Sequence, residues 1–177
     1  MIYFVEIIKT KKFILRPMSL KDSKDLVKNM NNWNVVQNLS ALSFPYELKH
    51  ARKFSGKIEK EMKKEIPKDY VMVIEIKGEV VGAIGAHKIV SGHKAETGYW
   101  LAEKHWGKGI MSEAVAKFMK HIFSQFKLRR IYSKAYDHNK GSMRVMEKVG
   151  MKFEGIERKG ALKNGKYIDC YVYAKTK

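Results

Sequence analysis

Residues 95 to 126 form a unit that narrows the folds open to this chain. A strand-like run, Ala95-Glu96-Thr97-Gly98-Tyr99-Trp100-Leu101, leads to a glycine-bearing segment, His105-Trp106-Gly107-Lys108-Gly109. Residues 110–126 follow, with apolar side chains recurring at three- and four-residue spacing, which predicts a helix. Where a strand passes through glycines into a helix, backbone N–H groups can approach a phosphate while the positive helix end faces it. A diphosphate is the natural ligand of such a turn; an unliganded tight turn is the structural alternative. A Walker loop would need Lys-Ser/Thr after the last glycine, and a Rossmann turn a third glycine where this chain has Ser112. Neither pattern is met.

The rest of the chain falls into place around this unit. Residues 13–17 read as a strand stopped by Pro17, residues 19–30 as a first helix, and 31–45 as a loop with a short helical turn. Residues 47–64 have helical composition. The β-branched runs 70–76 and 80–86, joined by the turn Lys77-Gly78-Glu79, predict a hairpin that residues 95–101 extend into an antiparallel meander. Beyond the long helix come a strand at 130–136, a short helix at 140–149 stopped by Gly150, and two final strands around Lys163-Asn164-Gly165-Lys166. Residues 1–8 read as an N-terminal strand with no basic leader and no cleavage site. No repeat or linker divides the 177 residues, 45% of them hydrophobic, so one domain over 1–177 is expected.

Several functions are disfavoured by composition. No run approaches the roughly 20 apolar residues of a membrane span. The histidines, His50, His87, His93, His105, His121 and His138, lack a two-ligand helical spacing, and one cysteine makes no zinc site, so no metal is expected. Cys170 can form no internal disulfide, which points to a reducing, cytoplasmic setting and a packing role. The net charge of +18 eases association with acidic partners such as nucleic acid, the ribosome or a polyphosphate cofactor; lysines in runs such as 57–64 also simply solvate a helix face.

Tyr99-Trp100-Leu101 followed by Trp106-Gly107-Lys108-Gly109-Ile110-Met111-Ser112-Glu113-Ala114 resembles the coenzyme A signature of the GNAT acetyltransferase superfamily, in its ribosomal-protein N-acetyltransferase branch. Residues 139–155, from Asn139-Lys140-Gly141-Ser142 to Phe153-Glu154-Gly155, are similar to that branch's second signature, and Leu15-Arg16-Pro17 and Asn164-Gly165-Lys166-Tyr167-Ile168-Asp169 match its ends. The resemblance implies an α/β (α+β) fold with a mixed, mostly antiparallel sheet of about seven strands, splayed at the cofactor site and flanked by about four helices. It implies acetyl-coenzyme A as cofactor, its pantetheine arm on backbone groups of Trp100, Leu101 and Ala102. Its pyrophosphate would lie on the amides of Gly107, Lys108, Gly109, Ile110 and Met111, with Lys108 adding charge. Trp106 and Met111 depart from the family pattern, which begins with Gln or Arg and ends with Gly or Ala.

For chemistry, amide formation needs a neutral amine, a stabilised oxyanion and a proton for the thiolate. An N-terminal amine, with a pKa of about 7.7–8.0, is partly neutral at pH 7, whereas a lysine near 10.4 needs far more help. Glu96 is the expected weak or water-assisted base, and the Leu101 N–H the expected oxyanion donor. Many relatives donate the thiolate's proton from a tyrosine seven residues after the asparagine matching Asn139; here Met146 stands there. Ser142 is the substitute the branch pattern suggests, with Asn139 bonding pantetheine or capping the helix, and Tyr136 also within reach. Cys170 lies far from the signature in sequence, which favours direct transfer in a ternary complex. The resemblance implies a protein N-terminus as acceptor, with ribosome association and a homodimer as further partner expectations. A small amine, such as a polyamine or aminoglycoside, is the alternative acceptor, and a non-catalytic module on the ribosome or RNA the alternative role.

Overall fold

Alternating and continuous apolar runs condense into one eight-stranded sheet, ordered β1-β2-β3-β4-β5-β6-β8-β7, in a computed structural model that describes residues 6–39, 42 and 44–177. The strands are β1 (Ile8–Lys9), β2 (Ile14–Pro17), β3 (Tyr70–Ile76), β4 (Glu79–Val90), β5 (Lys94–Leu101), β6 (Arg130–Tyr136), β7 (Lys152–Lys163) and β8 (Lys166–Thr176). The helices are α1 (Ser23–Met30), α2 (Trp33–Val36), α3 (Leu48–Glu61), α4 (Ile110–Gln125) and α5 (Lys140–Lys148).

The architecture agrees with the expected sheet of about seven strands and about four helices; the additions are short, β1 having two residues and α2 four. Of the N-terminal strand expected over residues 1–8, positions 1–5 lie outside the described residues, and the described strand is Ile8–Lys9. Strand β4 runs on to Val90, beyond the expected end at Ala86. A register shift between His87 and Val90, with Lys88 at φ 52°, absorbs an irregular step and lets the ladder with β5 continue.

Two apolar layers sandwich the sheet. Helix α4 lays Ile110, Ala114, Val115, Phe118, Met119 and Ile122 against one face, where they pack with Leu15, Met72, Ile84, Ala95, Leu101, Ile131 and Ala135. Phe118 and Ile122 are fully buried, each worth roughly 1.5–3 kcal/mol of transfer free energy. Helices α1 and α3 cover the other face through Leu26, Met30, Ala51 and Ile58, which meet Val71, Val73, Val80 and Ala83, with Trp100 against them. No helix among the described residues is long and apolar enough to cross a membrane.

All neighbouring strands are antiparallel except β5 and β6, which α4 connects as a crossover. Their parallel pairing covers only Lys94↔Arg130, Ala95↔Ile131 and Glu96↔Tyr132. One position further on, the Ser133 hydroxyl still donates to the Thr97 carbonyl at 2.8 Å; past it the strands part. The sheet therefore has an opening at its centre.

Candidate functional site

A cleft of about 990 Å³ occupies this opening and passes from one face of the sheet to the other. Ile110, Ser112, Ser142 and Val145 line it on the α4/α5 face; Asn34, His87, Glu96, Lys134 and Gly160 line it on the opposite face.

On the α4/α5 side the glycine turn is the dominant feature. Gly107 and Gly109 both adopt φ 73°, a conformation that disfavours residues with a Cβ, and Gly109 caps α4 without a side-chain bond. Among the described residues, no hydrogen bond takes up the amides of Gly107 through Ser112, so six N–H groups stand at the positive end of a four-turn helix. A pyrophosphate fits this donor set. The Lys108 amino group turns back onto the Lys104 carbonyl at 2.8 Å, while Lys12, brought from the turn before β2, donates to the Lys108 carbonyl at 3.4 Å. Lys12 is thus a cation at the turn that sequence reading missed, its partner lying 96 residues away. Both departures from the family pattern have a structural reason. The Trp106 indole N–H donates to the Leu101 carbonyl at 2.7 Å, tying the turn to the end of β5, and Met111 is a buried core residue.

The β4–β5 register decides which backbone groups face the gap. The Ala102 amide donates to Val81 at 2.7 Å. Alternation along an antiparallel ladder then turns the groups of Trp100 toward β4 as well and those of Tyr99 and Leu101 toward the gap. A Cβ at Gly82 of β4 would lie 2.6 Å from the Trp100 carbonyl oxygen, in keeping with that direction. Of Trp100, Leu101 and Ala102, only Leu101 aims its N–H at the open side; Trp100 and Ala102 are engaged with β4, and Tyr99 joins Leu101 instead.

Ser142 and Asn139 come together as expected: the Asn139 Oδ1 accepts from the Ser142 amide at 3.1 Å and caps α5. Tyr99 completes the cluster, its hydroxyl 2.9 Å from Ser142 Oγ and 3.1 Å from the Ser142 carbonyl. Burial raises the Tyr99 phenol well above its ordinary value despite the Ser142 bond, so it stays protonated. Met146 is fully buried in the core. Tyr136 also lines the cleft, from its other side. Alternation along β6 puts Ile131 and Ala135 on the α4/α5 face and Tyr136 on the other, opposite Cys170 of β8. Cys170, distant in sequence, therefore lines the cleft, which corrects the expectation of a cysteine remote from the site. Burial, with the charge of Glu157, pushes its thiol up, leaving it a poor nucleophile.

On the opposite face Glu96 is half-buried. Its Oε2 accepts from Lys88 Nζ at 2.7 Å and from the Tyr132 hydroxyl at 3.2 Å. Burial pushes its carboxyl up, but the hydrogen bond and charge of Lys88, with Tyr132, outweigh it and hold the group below the ordinary carboxylate range. Glu96 is thereby a fixed negative charge and a weaker proton acceptor than the sequence suggested. A second carboxylate, Glu103, is held by Asn32 Nδ2 at 2.5 Å and Asn34 Nδ2 at 2.9 Å. Lys163 of β7 donates to the carbonyls of Val36, at 2.5 Å, and Leu39, joining the C-terminal hairpin to the end of α2. Among the described residues no group of three His, Cys, Asp or Glu side chains is arranged to hold a metal ion.

Residues 12–152 match the model of the acetyltransferase (GNAT) domain. The chain is 30% identical over 172 residues to the probable N-acetyltransferase YjcK of Bacillus subtilis, covering 94% of this chain and 95% of that one. It is 35% identical over 98 residues to the ribosomal-protein-serine acetyltransferase of Escherichia coli, covering 55% of each. Among solved structures, RimL, a ribosomal α-N-protein acetyltransferase in complex with coenzyme A, is similar with a TM-score of 0.85 and 25% identity, over 97% of this chain and 98% of that chain.

Proposed function

Because the chain belongs to the GNAT acetyltransferase family, we propose that it transfers an acetyl group from acetyl-coenzyme A to the N-terminal α-amino group of a protein, by direct attack in a ternary complex. The observation that carries this reading is the cleft's passage through the sheet, with the phosphate-type turn at one mouth and fixed carboxylates at the other. The similarity to the Escherichia coli ribosomal-protein-serine acetyltransferase supports a protein N-terminus over other amines.

When bound, acetyl-coenzyme A supplies a thioester whose carbonyl carbon accepts the amine. The amides of Gly107 through Ser112 and the ammonium of Lys12 bind negative charge at one end of the cleft. The Leu101 N–H, turned into the gap, stabilises charge developing on the carbonyl oxygen. Ser142 Oγ supplies the proton that the departing sulfur needs, and Asn139 and Tyr99 fix its place. Glu96 and Glu103 line the opposite mouth and would draw the α-ammonium there. Direct transfer is supported by the state of Cys170, whose raised thiol disfavours an acyl-enzyme. The +18 charge favours approach to the ribosome, where nascent and assembled protein N-termini occur beside RNA.

The test is thiol release from acetyl-coenzyme A with a peptide bearing a free N-terminal serine or alanine, the same peptide N-terminally blocked but carrying lysine, and spermidine. Release with the free N-terminus alone is expected. Release with spermidine alone replaces this acceptor with a small amine.

A further inference from the structure

One histidine on the acceptor face is oriented in a way that the roles above leave unexplained. His87, on β4 directly across the ladder from Glu96, lines the cleft with its ring half-buried. Its Nδ1 lies 3.0 Å from Asp69 Oδ1. A carboxylate accepts here, so Nδ1 carries a proton, and the neutral form of the ring has its lone pair on Nε2. Among the described residues nothing bonds to Nε2.

Two paired glycines account for the ring's position. Gly85 and Gly98 face each other across β4 and β5. A Cβ at Gly85 would fall 2.7 Å from His87 Nε2, so the ring can lie where it does only over a glycine. A Cβ at Gly98 would meet nothing within 4 Å, and Gly98 has no positive φ to demand a glycine. A glycine in a strand interior with open space above it marks a place where something outside the sheet approaches the backbone closely. The two together form a trough on the acceptor face, with Nε2 along one side and open floor beside it. The irregular step at Lys88 turns that residue's side chain onto Glu96 and leaves His87 unobstructed.

We propose that His87, positioned by Asp69, takes the proton from the acceptor amine. The proposal rests on the acetyl-transfer reading above and adds the base that Glu96, held as a counter-charge, does not supply. The acceptor ammonium gives one proton to Nε2; its freed lone pair forms the C–N bond while the C–S electrons leave on sulfur. The second proton lost from nitrogen is matched by the one delivered to sulfur through Ser142, and the first leaves His87 for solvent. The charged groups around the ring come from several elements. Asp69 faces Nδ1 and is itself 3.5 Å from Lys57 of α3, and Glu96 lies across the ladder with Lys88 and Tyr132 on it and Lys134 of β6 near it.

His87→Gln should lower kcat about 10²-fold, the scale of general base catalysis, with acetyl-coenzyme A affinity unchanged. It should also flatten the fall of kcat/KM on acidification, and Asp69→Asn should give a smaller loss with a displaced profile. An unchanged turnover and pH profile in His87→Gln overturns the proposal. The comparison is run on both the free-N-terminus peptide and spermidine, so a failed peptide reading leaves the His87 test intact on the amine. Ring-nitrogen NMR of the unliganded protein gives a readout independent of turnover: a neutral ring protonated on Nδ1 is expected, and protonation on Nε2 overturns the assignment.

Discussion

On its α4/α5 face the cleft presents mostly backbone: the amides of the glycine turn and the inward-facing N–H of Leu101, with Ser142 as the main reactive side chain. On its opposite face it presents side chains drawn from separate elements, with Glu96 on β5, His87 on β4, Glu103 after β5 and Lys134 on β6. The difference suits the roles proposed for the two faces. A fixed diphosphate can be held by a rigid turn whose only sequence requirement is glycine, whereas an amine that must arrive, lose a proton and leave calls for charges placed one by one.

The largest effect that would break this contrast is at the turn. Gly109→Val puts a β-branched residue at φ 73°, a strain of roughly 1–2 kcal/mol, over amides whose bonds to a charged group are worth about 1.5–3 kcal/mol each. Coenzyme A affinity, read by calorimetry, should fall about 10²-fold with the fold retained; an unchanged affinity would show that the turn does not hold the phosphates. Gly98→Val sharpens the contrast from the other face. It fills the trough, so the acceptor KM should rise about tenfold, near 1.4 kcal/mol, while coenzyme A affinity stays level. Since valine suits a strand better than glycine, the thermal midpoint should not drop. An acceptor KM that stays put would remove Gly98 from the acceptor path.

The smallest effect concerns Glu96. Its folded carboxyl is held below the ordinary range, so it contributes stability that is present above the unfolded carboxylate pKa and lost as pH falls through the lower folded value. Lys88→Met leaves burial as the main influence and raises that folded value. The stability lost between pH 7 and pH 4 should then be smaller than in the wild type, by at most about 1 kcal/mol for so exposed a lysine, in urea midpoints compared at the two pH values. Coincident curves would mean the pair contributes nothing.

The same contrast explains what the sequence disclosed. The meander, the α4 crossover, the glycine turn and the Asn139–Ser142 cap were legible because each is written in neighbouring residues with a strong period or a turn signal. The acceptor face was not. His87 and Asp69 are 18 residues apart, Asn34 and Glu103 are 69 apart, and no local pattern announces that either pair will meet. Nothing in the run from Ala95 to Leu101 singles out Gly98, since the space above it exists only once the sheet has formed. Trp100 and Ala102 were assigned to the gap because a motif marks a segment, whereas the direction of each amide is set by a hydrogen-bond register that only the folded ladder defines.

The passage of the cleft through the sheet has a kinetic consequence. With cofactor and acceptor placed as proposed, the two substrates would enter from opposite sides of a layer one strand thick, and neither would block the other. On that placement steric blocking would impose no order on arrival, and the acetylated acceptor could depart while the spent thiol is still seated, or the reverse. A preference in sequence of release would then come from affinity, and even a bulky acceptor would leave the other side open for recharging the enzyme.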